Sequence, residues 1–286
     1  MTTDEGKEPA PMWTLSGFID EISEDCTEQC ATAAGLGLKF VELRSAWGIN
    51  ILDLGPDRRR EMRATLADHD LEVSSIGSPI GKIFIDEDFP PHLDRLRHAT
   101  EVAHEFGAPY IRIFSFFLRP GADPAAHRDE VITRMRALAR VAENADLILL
   151  HENEKEIYGD VPARCLDVIR SVDSPHLRLA WDPANFVQVG VRPYTDGYAA
   201  LRQHVEYIQI KDALAADGTV VPAGKGDGEV ARTVEALHHD GFDGFFSLEP
   251  HLAEAHAGGG FSGPDRFRRA HQAFTALLTA KGIEYA

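Results

Sequence analysis

Residues 147–185 read LILLHENEKEIYGDVPARCLDVIRSVDSPHLRLAWDPAN, and the order of their parts decides the fold class. An apolar run, LILLHE at 147–152, gives way to a polar loop, an amphipathic stretch at 161–172 and a second apolar run, LRLAWD at 177–182. Each run is too short for a helix of ordinary length and is bounded by turn residues, so each reads as a buried strand. A helix between two such strands carries the chain back to its starting end, which makes the strands parallel. Both strands also finish on an acid, Glu152 and Asp182.

Six further runs complete the series: LSGFI (15–19), FVELR (40–44), EVSSIG (72–77), YIRIF (110–114), EYIQIKD (206–212) and GFFSLE (244–249). Helix candidates lie at 91–106, 125–145, 161–172, 229–240 and 264–280, and several end in Gly or Asp turns such as Gly107 and Asp240-Gly241. Eight βα units of this spacing predict an α/β fold closed into a (β/α)₈ TIM barrel. A doubly wound open sheet is the runner-up, but the G-x-G-x-x-G turn expected after its first strand is missing. Residues 1–12 carry Pro9 and Pro11 among charges and read as a mobile tail, leaving 13–286 as one barrel domain.

The chain has 286 residues, 44% of them hydrophobic and 26% charged, as in ordinary globular proteins. No window approaches the roughly 18 uninterrupted apolar residues of a membrane span, and the acidic start does not read as a signal peptide. A cytoplasmic protein is expected, with no membrane partner. With 29 basic and 46 acidic residues the formal charge is −17, a field that repels phosphate backbones, so no nucleic acid partner is expected. Cys26, Cys30 and Cys165 are too few and too odd in number for a disulfide framework; Cys26 and Cys30, four apart on a helix, read as packing residues.

Barrel active sites form where strands end, because side chains there converge on one mouth. Polar residues accumulate at those ends: Asp20-Glu21, Glu42 and Arg44, Arg112, His151-Glu152-Asn153-Glu154-Lys155, Asp182 and Asn185, Gln209 and Lys211-Asp212, and Glu249-Pro250-His251. Glu152, Asp182, Gln209 and Glu249 fall on strands five to eight. Three carboxylates packed there repel one another unless a cation or protons neutralise them, which points to a divalent metal. Glu42 and Arg112 have an alternative reading as a salt bridge across the mouth, and Asn185 as a helix cap. The Gly-rich stretch 222–228 is a candidate phosphate cradle with Lys225 beside it, although it lacks the ending of a P-loop.

The words GFIDEIS, FVELR, LLHENEKEIYGD, LAWDPANF, YIQIKDA, PAGKGDGEV and SLEPH resemble the sugar phosphate isomerase/epimerase family of xylose isomerase-like TIM barrels, from about Leu15 to the C-terminal helix. The resemblance implies one divalent metal held by Glu152, Asp182, Gln209 and Glu249, with Gln209 standing where the family usually has His. Mn²⁺ is expected first, with Mg²⁺ or Co²⁺ as alternatives, since oxygen ligands suit hard cations. It also implies proton transfer next to a carbonyl, with Glu152 and Glu249 as acid and base. His151, Asn153, Lys155, Asn185, Lys211, Arg112 and Glu42 would hold a small-molecule sugar or polyol substrate. The expected activity is that of an isomerase or epimerase on a keto-sugar or sugar phosphate, alternatively a metal-dependent dehydratase of a keto-cyclitol. A DNA-repair endonuclease and a non-catalytic sugar-binding barrel rank below these, and a homo-oligomer is compatible with any of them.

Overall fold

The structure, a computed structural model, describes residues 12–252 and 262–286. The expected N-terminal tail therefore lies outside the described residues, except for an exposed Met12. Eight strands form the barrel: β1 (Thr14–Gly17), β2 (Phe40–Leu43), β3 (Glu72–Gly77), β4 (Tyr110–Ile113), β5 (Ile148–Glu152), β6 (Leu177–Trp181), β7 (Val205–Ile210) and β8 (Phe245–Leu248). Their order is β1-β8-β7-β6-β5-β4-β3-β2, with every neighbouring pair parallel. A single parallel bridge, Phe18 to Glu42, spans the remaining seam between β1 and β2, so the barrel is nearly closed.

The surrounding helices are α1 (Cys26–Gly35), α2 (Pro56–Asp68), α3 (Pro90–Phe106), α4 (Pro124–Asn144), α5 (Pro162–Val172), the short α6 (Pro183–Gln188), α7 (Val230–His239) and α8 (Pro264–Ala280). Six of these eight open on proline, whose missing N–H costs nothing in a first turn and whose fixed φ suits a helix; the helix starts after β5 and β6 are therefore sharp. α3 stops at Gly107, which takes φ 68°, a left-handed conformation that a side chain disfavours. Among the described residues no helix is long and apolar enough to cross a membrane. All three cysteines are buried and free.

Alternation along the strands divides the core into two layers. Residues such as Val41, Ile111, Leu149 and Ile208 pack outward against the helices. Leu150, Ala180 and Tyr207, with Tyr110, Ile148 and Phe245, plug the barrel interior. Because side chains alternate at period two, the interior face of β5 continues from Ile148 and Leu150 to Glu152, that of β7 from Tyr207 through Gln209 to Lys211, and that of β8 from Phe245 through Ser247 to Glu249. Above the plug the interior turns polar. Ser16 Oγ lies 2.6 Å from Ser74 Oγ, Ser74 Oγ 2.8 Å from Tyr207 Oη, and Tyr207 Oη donates to Glu42 Oε2 at 3.2 Å. This chain of hydrogen bonds satisfies groups that burial would otherwise penalise, and it carries polarity up the barrel axis to the mouth.

Candidate active site

Glu152 ends β5, Asp182 follows β6 and Glu249 follows β8; all three are buried, with exposures of 2%, 0% and 3%. Their carboxylate oxygens come within 4.8 Å of one another. Two asparagines hold the first two in place. Asn153 exchanges a pair of bonds with the Asp182 backbone, its Nδ2 donating to Asp182 O at 2.8 Å and its Oδ1 accepting from Asp182 N at 2.9 Å. Asn185 Nδ2 donates to Glu152 Oε1 at 3.0 Å and to Asn153 O at 2.9 Å. The cap of α6 is Asp182 itself, whose Oδ1 accepts from Asn185 N at 2.9 Å, so the Asn185 side chain is not the helix cap.

Lys211 reaches the same cluster. Its Nζ lies 2.7 Å from Asp182 Oδ2 and donates to Glu249 Oε2 at 2.9 Å. Burial pushes the Glu152 carboxyl up to about 8 and that of Asp182 up to about 6, against the opposing pull of Arg112 on the first and Lys211 on both. Burial also works against ionisation of Glu249, but Lys211, His251 and Arg44 together outweigh it and hold that carboxyl well below the usual range. The two glutamates thus sit in contrasting environments, an arrangement suited to opposite proton-transfer roles.

Beneath this layer, Glu42 Oε2 accepts from Gln209 Nε2 at 3.2 Å and from Ser247 Oγ at 2.8 Å. With its N–H end turned to Glu42, Gln209 leaves Oε1 buried with no hydrogen-bond partner among the described residues. Glu152 Oε2 and Asp182 Oδ2 are likewise buried without a well-aligned hydrogen bond. Buried oxygens that carry no aligned hydrogen bond, even where Lys211 and Arg112 approach them as counter-charges, are what a hard cation needs from its ligands.

Glu21, Arg44 and His251, which the sequence places at strand ends but to which it gives no role, complete the rim. Arg44 donates from Nε to Asp20 Oδ2 at 2.7 Å, from Nη2 to Glu21 Oε1 at 2.9 Å and from Nη1 to Glu249 Oε1 at 3.0 Å. His251 Nε2 lies 3.0 Å from Glu21 Oε1 and 3.4 Å from Glu249 Oε1; burial disfavours its charge, yet Glu249 and Glu21 raise its pKa to about 9. Arg44 was findable from its two-residue spacing to Glu42, which puts both on one strand face.

The expected site residues divide into groups. Glu152, Asp182, Gln209, Glu249, Lys211, Arg112, Glu42, Asn153 and Asn185 are all buried at or just under the mouth. A cavity of about 130 Å³ opens there, lined by Arg112, Lys82, Lys211, Glu152 and Glu249. Lys155 is exposed and outside its lining. His151 shares the outward face of β5 with Leu149; a Cβ on Gly159 would come within 2.5 Å of its ring, which places it behind the wall of the mouth. The Gly-rich stretch does bind an anion through its backbone, but the anion is internal: Asp212 accepts from Gly224, Gly226 and Gly228 N–H groups at 2.8 to 2.9 Å. Lys225 is exposed.

A parallel barrel with a buried carboxylate cluster at the C-terminal ends of its strands has the layout of a TIM-barrel enzyme. The chain belongs to the xylose isomerase-like TIM barrel family, which it matches over residues 30–276. It is 27% identical over 210 residues to a 2-epi-5-epi-valiolone 7-phosphate 2-epimerase of Actinoplanes sp., covering 72% of this chain and 74% of that one. It is 23% identical over 185 residues to the 3-dehydroshikimate dehydratase of Bacillus anthracis, covering 63% of this chain and 64% of that one, just under two thirds of each. A solved xylose isomerase-like TIM barrel protein from Mycobacterium smegmatis, in complex with magnesium, superposes with a TM-score of 0.68 at 19% identity over 93% of this chain and 98% of its own.

Proposed function

We propose that this chain is a divalent-metal-dependent isomerase or epimerase of a keto-sugar or sugar phosphate, working through an enediolate formed by carboxylate-mediated proton transfer. The observation that carries this reading is the buried cluster of Glu152, Asp182 and Glu249 within 4.8 Å of one another. Glu152, Asp182, Glu249 and the unpartnered Oε1 of Gln209 would hold the ion. When bound, it supplies Lewis acidity to the oxygens flanking the reacting carbon. Glu152 and Glu249 stand three strands apart around the mouth and exchange the proton with the substrate. Asn185 fixes Glu152 through Oε1 and leaves Oε2 available. Lys211 and Arg112 line the cavity and contact the substrate.

A metal-dependent dehydratase of a keto-cyclitol or related polyol is the second reading. It is favoured by Lys211 Nζ and His251 Nε2 standing beside Glu249, where they offer N–H donors to a departing hydroxyl. Both reactions begin with the same proton abstraction. Chelator-stripped protein, reloaded with Mn²⁺ in deuterated water and given keto-sugars, their phosphates and cyclitols, is expected to place deuterium next to a carbonyl. Conserved product mass assigns the isomerase or epimerase, and loss of water assigns the dehydratase. Metal binding with no exchange in any substrate overturns the proposal.

The ion is expected to be Mn²⁺, with Mg²⁺ or Co²⁺ weaker and Zn²⁺ nearly inactive, because every protein ligand is an oxygen and imidazole's preference for borderline metals is absent. Gln209→His should shift affinity and activity toward Zn²⁺ or Co²⁺, read by titration of each stripped protein with each metal. If the unmodified chain prefers Zn²⁺ and the substitution changes nothing, Gln209 is not a ligand.

A further inference from the structure

Arg112 is 4% exposed and stands on the interior face of β4, and among the described residues its guanidinium makes an ion-pair contact but no aligned hydrogen bond. Its Nε is buried without a partner among the described residues. Its nearest carboxylate oxygen, Glu152 Oε2, lies 3.3 Å from Nη1 and makes no aligned hydrogen bond. A guanidinium has five N–H groups and cannot shed its charge, so burial without partners is costly unless something arrives to fill them. The group is nevertheless held firmly in place. Its Cζ lies 4.6 Å from the Phe114 ring centroid and 5.2 Å from that of Phe18. Gly77 makes room for it: a Cβ there would fall 3.2 Å from Arg112 Nη2 and 2.5 Å from Phe18.

A second cation borders the same cavity. Lys82 Nζ lies 4.2 Å from the Phe114 ring centroid, and among the described residues its one carboxylate contact is Glu154 Oε2 at 3.3 Å on the rim. Both Lys82 and Arg112 line the cavity that also holds Glu152, Lys211 and Glu249. A salt bridge between Arg112 and Glu42 would explain the arginine on structural grounds, but Glu42 takes its hydrogen bonds from Tyr207, Gln209 and Ser247 and none from Arg112.

We propose that Arg112 and Lys82 form an anion seat for the part of the substrate remote from the reacting carbon, so that the substrate is a polyol bearing a carboxylate or phosphate. The inference rests on the reading of the mouth as a proton-transfer site. A stacked guanidinium presents its fork edge-on and suits the paired oxygens of either anion, with Lys82 adding a point charge. A neutral sugar of the same size leaves the guanidinium fork without an aligned hydrogen bond and binds less well for that reason.

The test has two arms. In the first, deuterium exchange is compared between keto-polyols carrying a carboxylate, a phosphate or neither. The ratio of kcat/KM for the anionic over the neutral substrate is expected to exceed on the order of 30-fold. That ratio should collapse in Arg112→Met, fall partway in Arg112→Lys, which keeps charge and loses the fork, and fall less in Lys82→Met. An equal loss on anionic and neutral substrates makes Arg112 structural and overturns the seat. In the second arm, inorganic phosphate and cyclohexanecarboxylate are titrated calorimetrically into the Mn²⁺-loaded protein and its variants. Binding of either that is weakened by Arg112→Met or Arg112→Lys supports the seat, and the tighter of the two identifies the anion. No binding of either, or binding indifferent to both Arg112 and Lys82, overturns it. Anion binding through Arg112 without exchange in any substrate would uphold the seat while failing the proposed reaction, so the two failures are distinguishable.

Discussion

Glu152→Gln and Glu249→Gln are each expected to reduce solvent-deuterium exchange into substrate by about 10²–10⁴-fold, the range for removing a positioned general acid or base. Each should weaken divalent-cation binding in the same protein. The amide keeps the shape of the side chain, and in Glu152→Gln it can still accept the Asn185 bond through its oxygen, so folding should survive. What it loses is one ligand charge and the ability to carry a proton. Exchange followed by NMR beside a Mn²⁺ titration separates these losses. If a variant binds the ion more weakly but exchanges at the original rate, that glutamate is a ligand only. Lys211, 2.9 Å from Glu249 Oε2, would then be the next group to test as the proton carrier. His151 would not follow, because its ring lies on the outward face of β5, against Gly159.

Lys211→Met is expected to destabilise the metal-free protein by about 3–5 kcal/mol, the usual consequence of removing one partner from a buried ion pair. Lys211 Nζ is within 3 Å of both Asp182 and Glu249, and a methionine there leaves their negative charge without its nearest counter-ion. The burial that raises the Glu152 and Asp182 carboxyls would then go less opposed. Thermal unfolding should show a large drop in Tm in the presence of chelator. Added Mn²⁺ should recover more stability in the variant than in the original chain, because the ion takes over the charge that lysine supplied. Equal Tm values in chelator would mean that Lys211 does not balance the cluster.

The barrel was legible because its signal repeats eight times and depends on apolar runs that survive one-residue errors at their ends. The carboxylates were legible for a related reason: Glu152 ends its strand, and Asp182 and Glu249 follow directly on theirs, where a barrel gathers side chains. Helix α2 was less visible. Of its thirteen residues, Pro56–Asp68, only Met62 and Leu66 are buried, so little apolar periodicity marks it. Strand β1 was read too long, since Ile19–Glu21 turns into a short 3₁₀ segment that places Glu21 against Arg44 and His251. His151 shows what alternation adds: adjacent residues on a strand cannot both face the mouth, and Glu152 does. The ion pairs of Lys211, by contrast, join residues far apart in sequence, and no local pattern announces which acids a buried lysine will meet.

The grip of Asp212 has a consequence for how such a barrel can change over generations. Its carboxylate joins the first residue of the hairpin Asp212–Ala213/Val220–Val221 to the glycines at 224, 226 and 228 that return the chain to α7. A Cβ on Gly226 would come within 2.5 Å of both Ala213 O and the Asp212 carboxylate, so the knot tolerates nothing larger. Residues 214–219 lie beyond it, like the bight of a rope beyond the hitch, tied back by the Ala215 N–H to Asp227 and by Gln188 Nε2 to Gly218 O. They can lengthen, shorten or be exchanged for another sequence while Gln209 and Lys211, two strand positions below, stay where they are. A lineage could therefore retool what it accepts at the mouth one cassette at a time, with the chemical machinery insulated from the experiment.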